Sequence, residues 1–197
     1  MNFSNITQDI KQKLIDIVGD NYCLTEKNSL EDYCHDETED LNFPPEAVVK
    51  PANTNEVSEI MKLASEYNIP VTPCGARTGL SGGALCVYGG IALSMERFNK
   101  IIKIDEDNLQ VIVQSGVITQ ELQVAVQEKG LYYAPDPSSK GTCFIGGNIA
   151  ENAGGPRAVK YGVTKDFVLN LEVVLPNGEV IETGANTLKN STGYNLT

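Results

Sequence analysis

The stretch Pro73 to Gly83, PCGARTGLSGG, sets four glycines and two hydroxyl side chains directly behind an apolar run, NIPVTP. Glycine loses more conformational freedom on folding than any other residue, so such a cluster marks special dihedrals or a close backbone approach. Consecutive unhindered N–H groups can form a concave nest that binds an anion through dipoles alone. Thr78 and Ser81 add hydroxyl donors. Arg77 either pairs with that anion or points to solvent. The plain alternative is an irregular surface turn. Two common phosphate motifs fail here. A Walker A loop needs G-x-x-x-x-G-K-[ST], and no such lysine is present. A dinucleotide turn needs G-x-G-x-x-G opening a helix. Here the glycines fall at 75, 79, 82 and 83, and ALCVYGGIALSM behind them reads as strand–turn–strand.

A second glycine-rich stretch, IGGNIAENAGG, closes residues 135–155. Gly-Gly stands at both ends, with Asn148 and Asn152 between, and Asn148 to Ala153 reads as a short helical turn. Small residues suit a flat ligand lying close to backbone, and asparagine amides can donate and accept at ring edges. Tight packing between two lobes would use the same residues.

Other chemistry is hard to find. YCHDETED gathers Cys34, His35, Asp36, Glu37 and Glu39, but consecutive residues cannot all face one ion, and the run reads as a solvated turn. No G-x-S-x-G nucleophile motif occurs. His35 is the single histidine, so no catalytic residue and no metal ligand is assigned. Five cysteines, Cys23, Cys34, Cys74, Cys86 and Cys143, form no C-x-x-C pair. That argues against a disulfide framework, a zinc site or an iron–sulfur cluster.

The elements that must position the two loops follow from periodicity. Ile6, Ile10, Leu14 and Ile17 recur at helical spacing, and Gly19 stops that helix. Residues 22–45 read as an acidic surface connection. Ala47 to Val49 read as a strand. Asn53 or Thr54 then caps a helix with Val57, Ile60, Met61 and Ala64 on one face. Ile69 to Thr72 read as the next strand, which makes a βαβ unit with the first loop at its end. Two or three strands follow, with a polar turn at Asp105–Asn108. Thr119 caps a helix carrying Leu122, Ala125 and Val126, and Gly130 stops it. Leu169, Leu171, Val173 and Leu175 alternate before Asn177-Gly178, a hairpin turn. Strands and helices interleave without strict alternation, which favours α+β lobes over a doubly wound sheet.

The chain has 197 residues and a net charge of −11. That charge disfavours nucleic acid or an anionic membrane as partner, so an anionic ligand would be held by backbone dipoles rather than a lysine patch. No apolar run approaches the roughly 20 residues of a membrane span, and MNFSNITQDIKQKL lacks a signal peptide's apolar stretch. A cytoplasmic location is expected.

PCGARTGLSGG, LSMERFNKIIKID, the segment from PDPSS through IGGNIAENAGGPRAVKYGVTKDFVLNLEVVLPNGEVI, and STGYNLT together resemble a known family. It is the FAD-linked oxidases with a PCMH-type (vanillyl-alcohol-oxidase-type) FAD-binding domain, in the branch of glycolate oxidase and D-lactate dehydrogenase. The resemblance implies an α+β fold of two lobes, a small βαβ lobe at about 46–100 and a larger mixed-sheet lobe at about 101–197. Residues 1–45 form an N-terminal helix and connection, and a C-terminal substrate-binding cap domain is absent. It also implies the cofactor contacts. Pro73, Cys74, Gly75, Ala76, Arg77, Thr78, Gly79 and Leu80 would wrap the FAD diphosphate. Pro135, Asp136 and Ser138 would lie along the cofactor. Thr142, Gly146, Gly147, Asn148 and Asn152 would approach the ribityl chain and flavin ring, and the backbone at Val180 would meet the adenine. Arg77 departs from the family, which usually has a small residue there. Some relatives attach flavin through a histidine near the place of Thr78, where this chain has none, so noncovalent FAD is implied.

The full-length enzyme implied by the resemblance oxidises glycolate or D-lactate. It passes the electrons to an electron-transfer flavoprotein, an iron–sulfur subunit or a quinone. The alternatives are a module that binds FAD or only its ADP half without catalysis, and another reductase of the same superfamily, such as a UDP-sugar enolpyruvyl reductase. This chain alone is expected to be inactive.

Overall fold

The computed structural model describes residues 3–197. The chain begins with α1 (Gln8–Val18), β1 (Cys23–Leu24), α2 (Lys27–Leu30), β2 (Ala47–Val49), α3 (Thr54–Tyr67), β3 (Val71–Cys74) and β4 (Ile91–Ser94). It continues with β5 (Ile101–Asp105), β6 (Gln110–Val113), α4 (Thr119–Gln127), α5 (Ile145–Ala150), α6 (Ala158–Tyr161), β7 (Asn170–Val174) and β8 (Val180–Gly184).

Both long N-terminal helices start on side-chain caps. The Thr7 hydroxyl accepts from Ile10 N–H, and the Asn53 amide oxygen accepts from Glu56 N–H. Such caps satisfy donors that the first helical turn leaves open. Ile10, Leu14 and Val18 then bury one stripe of α1, while Ile17, expected on that face, sits at its border.

Four strands form one sheet in the order β1-β2-β4-β3, with β2, β4 and β3 parallel and β1 antiparallel at the edge. β4 therefore lies between the two strands of the βαβ unit. Alternation along the strands decides the packing. Ala47, Val49, Ile91 and Leu93 face α1 and α3, while Val48, Ala92 and Cys74 face Leu30, Tyr33 and Cys86. Residues 22–45 are therefore more than a surface connection. Leu30, Tyr33 and Cys34 are buried and cover the second face of the sheet. All five cysteines are free and buried.

A second core gathers Val117, Leu122, Val126 and Ile145 beneath the β5–β6 ribbon. Thr119 does not cap α4 through its side chain. Ile118 holds the cap position, and the Thr119 hydroxyl turns inward to Cys143 and Asn148. Residues 84–88 form no strand. The backbone bends at Gly82 and Gly89, both at positive φ, and only 91–94 joins the sheet. The β7–β8 hairpin turns at Gly178, whose φ of +81° suits glycine. Its carbonyl accepts the Ser58 hydroxyl, and a Cβ there would lie 2.4 Å from the Lys62 side chain. That close approach docks the ribbon on α3. The architecture is α+β. Among the described residues no helix is long and apolar enough to cross a membrane.

Candidate functional site

Parallel strands β2, β4 and β3 end side by side, and the ends of such strands are where open α/β sheets place ligands. The loop after β3 begins at that edge. Every backbone amide from Gly75 to Ser81 lacks an acceptor among the described residues. Buried or half-buried N–H groups are almost always paired. Residues 75–79 are half-buried and Leu80 and Ser81 exposed, and a row of free half-buried amides is a donor surface of the kind that can bind an anion. The loop is open at its centre: nothing lies within 4 Å of a Cβ built on Gly79.

The second glycine-rich segment lies against this loop. A Cβ on Gly75 would sit 3.9 Å from Gly147 Cα and 3.9 Å from Gly147 N. Gly147 itself faces open space, and its amide is also unpaired among the described residues. At the loop's far end the Ser81 hydroxyl donates to Glu151 at 2.9 Å. Two segments far apart in sequence thus meet, with open space left at Gly147.

Other expected site residues divide by role. Gly146 is packed rather than open, because a Cβ there would meet Ser115 Cβ at 2.7 Å. The buried Asn148 amide donates to the Thr119 hydroxyl. Asn152 accepts from Lys165 N–H at 3.0 Å, and the Thr142 hydroxyl donates to Ser139 O at 3.2 Å. Asp136, nearly buried, takes the Arg157 amide and guanidinium, each at 3.2 Å, and so ties 135–138 to the end of the second segment. Pro135 O accepts from Gln123 at 2.8 Å, and Ser138 is exposed. Val180 opens β8 on the ribbon docked to α3. Pro73 and Cys74 complete β3, with the Cys74 thiol buried against the sheet.

Arg77 turns neither to that open space nor fully to solvent. Its φ of +59° is left-handed, a conformation that non-glycine residues rarely adopt. Its guanidinium lies 4.2 Å over the Tyr33 ring and 3.6 Å from the Glu96 carboxylate. Nη1 is buried without a hydrogen-bond partner among the described residues. Glu96 is the hub, receiving Lys50 at 2.8 Å and the Tyr33 hydroxyl as well. Burial pushes its carboxyl up, but the hydrogen bonds from Lys50 and Tyr33 and the charges of Lys50 and Arg77 outweigh that and hold it below the ordinary range.

Sequence reasoning missed the loop's outer support. Glu37 N–H donates to Gly79 O at 3.1 Å, and Gly82 N–H donates to the Thr38 hydroxyl at 2.9 Å. The acidic YCHDETED segment, whose composition suggests a solvated turn, thus holds the first loop. Among the described residues no group of His, Cys, Asp and Glu is arranged to hold a metal ion.

The chain matches the FAD binding domain family over residues 45–184. It belongs to that family. The free amides and the open glycines fit the diphosphate and flat ring of such a nucleotide. Glycolate oxidase subunit GlcD of Bacillus subtilis is 46% identical over 193 residues, spanning 98% of this chain and 41% of that protein. A D-lactate dehydrogenase of Anaerostipes hadrus is 42% identical over 195 residues, with the same two shares. This FAD-binding domain therefore spans about two fifths of the length of these relatives. Among solved structures, p-cresol methylhydroxylase superposes with a TM-score of 0.77 at 27% identity, covering 91% of this chain and 36% of that one. An alkyldihydroxyacetonephosphate synthase reaches a TM-score of 0.82 at 21% identity, over 92% and 35% of the two chains, and so shares the fold.

Proposed function

We propose that this FAD-binding domain is the cofactor half of a 2-hydroxy-acid dehydrogenase acting on glycolate or D-lactate. One observation carries the reading: an unpaired row of amides, Gly75 to Ser81, starts in contact with Gly147, whose Cβ position is open. The row would hold the FAD diphosphate, with the Thr78 hydroxyl as a further donor. Thr142 to Asn152 would flank the ribityl chain and flavin ring, Pro135 to Ser138 would border the cofactor, and the Val180 backbone would meet the adenine. Attachment is noncovalent, since the lone histidine, His35, is exposed and sits in the supporting segment.

FAD, when bound, supplies the two-electron chemistry, while the protein binds and orients it. The chain's own residues form the anion cradle, keep side chains out of the ring's path, and hold Asn148 and Asp136 rigid through Thr119 and Arg157. The names of the two relatives support the substrate class. The acceptor in this reading is an electron-transfer flavoprotein or an iron–sulfur subunit. We place the protein in the cytoplasm, which the five unpaired thiols support. We divide it into residues 1–45, a first lobe at 46–100 and a second at 101–197, with α1 packing into the core of the first lobe.

A visible spectrum of the purified chain tests the reading. Bands of oxidised flavin are expected, without bleaching when D-lactate or glycolate is added to this chain alone. Gly79→Val should remain folded and lose the flavin, because its side chain enters open space. Undiminished flavin in that variant argues against the cradle.

A further inference from the structure

The first loop needs a reason to keep its amides aligned. Ordering backbone costs conformational entropy, and a glycine-rich stretch with free N–H groups would otherwise meet that cost when ligand binds. The structure anchors the loop from outside the family match, which begins at residue 45. Glu37 N–H engages Gly79 O at 3.1 Å, and the Thr38 hydroxyl accepts Gly82 N–H at 2.9 Å. Asp36 is buried, and its Oδ1 accepts Thr38 N–H at 2.9 Å, which fixes the turn that presents the hydroxyl.

We propose that Asp36 to Thr38 is the positioning element of the anion loop and sets its affinity for the diphosphate of the cofactor. The geometry explains how. A trans peptide points its C=O and N–H in opposite directions. Holding Gly79 O toward Glu37 therefore turns the Leu80 N–H away from the anchor. The Thr38 bond restrains the next peptide but one. Residues 79–82 are thus ordered during folding, before any anion arrives. This inference rests on the FAD reading for its ligand, but not for its effect on the loop.

The test compares the wild-type chain with Thr38→Val, which keeps the shape and removes the acceptor, and Thr38→Ser, which retains it. FAD and ADP, both carrying a diphosphate, are titrated, with riboflavin as a probe lacking one. For Thr38→Val the expected result is roughly tenfold weaker binding of FAD and ADP, the size of one lost hydrogen bond. Thr38→Ser should restore it, and riboflavin should be unaffected. Hydrogen exchange should quicken at the bonded anchor amides, Gly82 N–H and Glu37 N–H, and stay unchanged in α3. Equal FAD affinity and equal loop exchange in Thr38→Val and wild type overturn the proposal. If wild type binds neither FAD nor ADP, the cofactor reading fails instead, and the exchange comparison still decides the anchor.

Discussion

Gly75 and Gly147, 72 residues apart in the chain, lie so close that a Cβ on the first would touch the Cα of the second at 3.9 Å. This contact joins the first glycine-rich loop to the second glycine-rich segment, at ordinary van der Waals distance. Gly147 has nothing within 4 Å of its Cβ position, and it lies inside α5, where leucine is the better helix former by up to about 1 kcal/mol. Gly147→Leu should therefore leave the apo protein as stable as wild type or more so. Its side chain fills the gap, and flavin binding should fall by roughly 100-fold, about 2.7 kcal/mol. Thermal unfolding and flavin titration measure the two effects. A variant that folds and binds normally removes the gap from the site.

The adjacent glycine should behave in the opposite way. A Cβ on Gly146 would lie 2.7 Å from Ser115 Cβ and 3.1 Å from Ser115 O, and its own amide already donates to that oxygen at 2.7 Å. Backbone has to move to admit even a methyl group. Gly146→Ala should lose roughly 1–3 kcal/mol of stability by overpacking, more than the helical gain of about 1 kcal/mol returns. Urea unfolding measures the difference. A stabilised variant would show that the contact is loose.

Glu96 joins Lys50, Tyr33 and Arg77 at the carboxyl edge of the sheet. Its carboxyl is held below the ordinary value of 4.5. A depressed folded-state pKa contributes stability that is present above pH 4.5 and lost as pH falls through the folded value. Glu96→Gln should cost roughly 1–2 kcal/mol at pH 7, because two cations lose their charged partner while the site stays partly solvated. Below pH 4 the gap between variant and wild type should narrow. Denaturation midpoints across pH 3 to 7 decide the matter, and a constant gap would assign the role to packing alone.

Much of this is legible in the residues. The two glycine clusters stand out because glycine is costly wherever freedom or closeness is not required, and PCGARTGLSGG directly follows β3. Strand alternation in β2 and β4 and the cap at Asn53 are local signals, so they survive folding. The anchors are not legible. Thr38 meets Gly82 across 44 residues, and periodicity carries no information about such a pairing. For Arg77, a partner after β4 cannot be seen until β4 is known to lie beside β3. Asn148 suggests a ligand for ring edges by its type, yet its amide faces Thr119, because α4 and α5 share one core. The 84–88 stretch has strand-forming residues but lies between left-handed turns at Gly82 and Gly89, and local geometry overrides propensity.

Tyr133 offers a test of the second core at alkaline pH. Its ring packs edge-on against Phe167 at 5.7 Å between centroids. Burial, aided by the nearby Cys143, pushes its hydroxyl up to about 12 against a small opposing effect of a hydrogen bond with Thr164. A raised folded-state pKa contributes stability that is fully present below pH 10 and lost as pH rises toward 12. The wild-type chain should therefore lose roughly 2–3 kcal/mol over that window from this residue. Tyr133→Phe has no proton to release there, so its stability should decline less steeply over the same range. Urea midpoints at pH 9.5 and 11.5 for both proteins isolate the effect, since every other titrating group is common to the pair. Parallel declines would mean that the hydroxyl reaches water, and that the wall of the second core at Tyr133 is open.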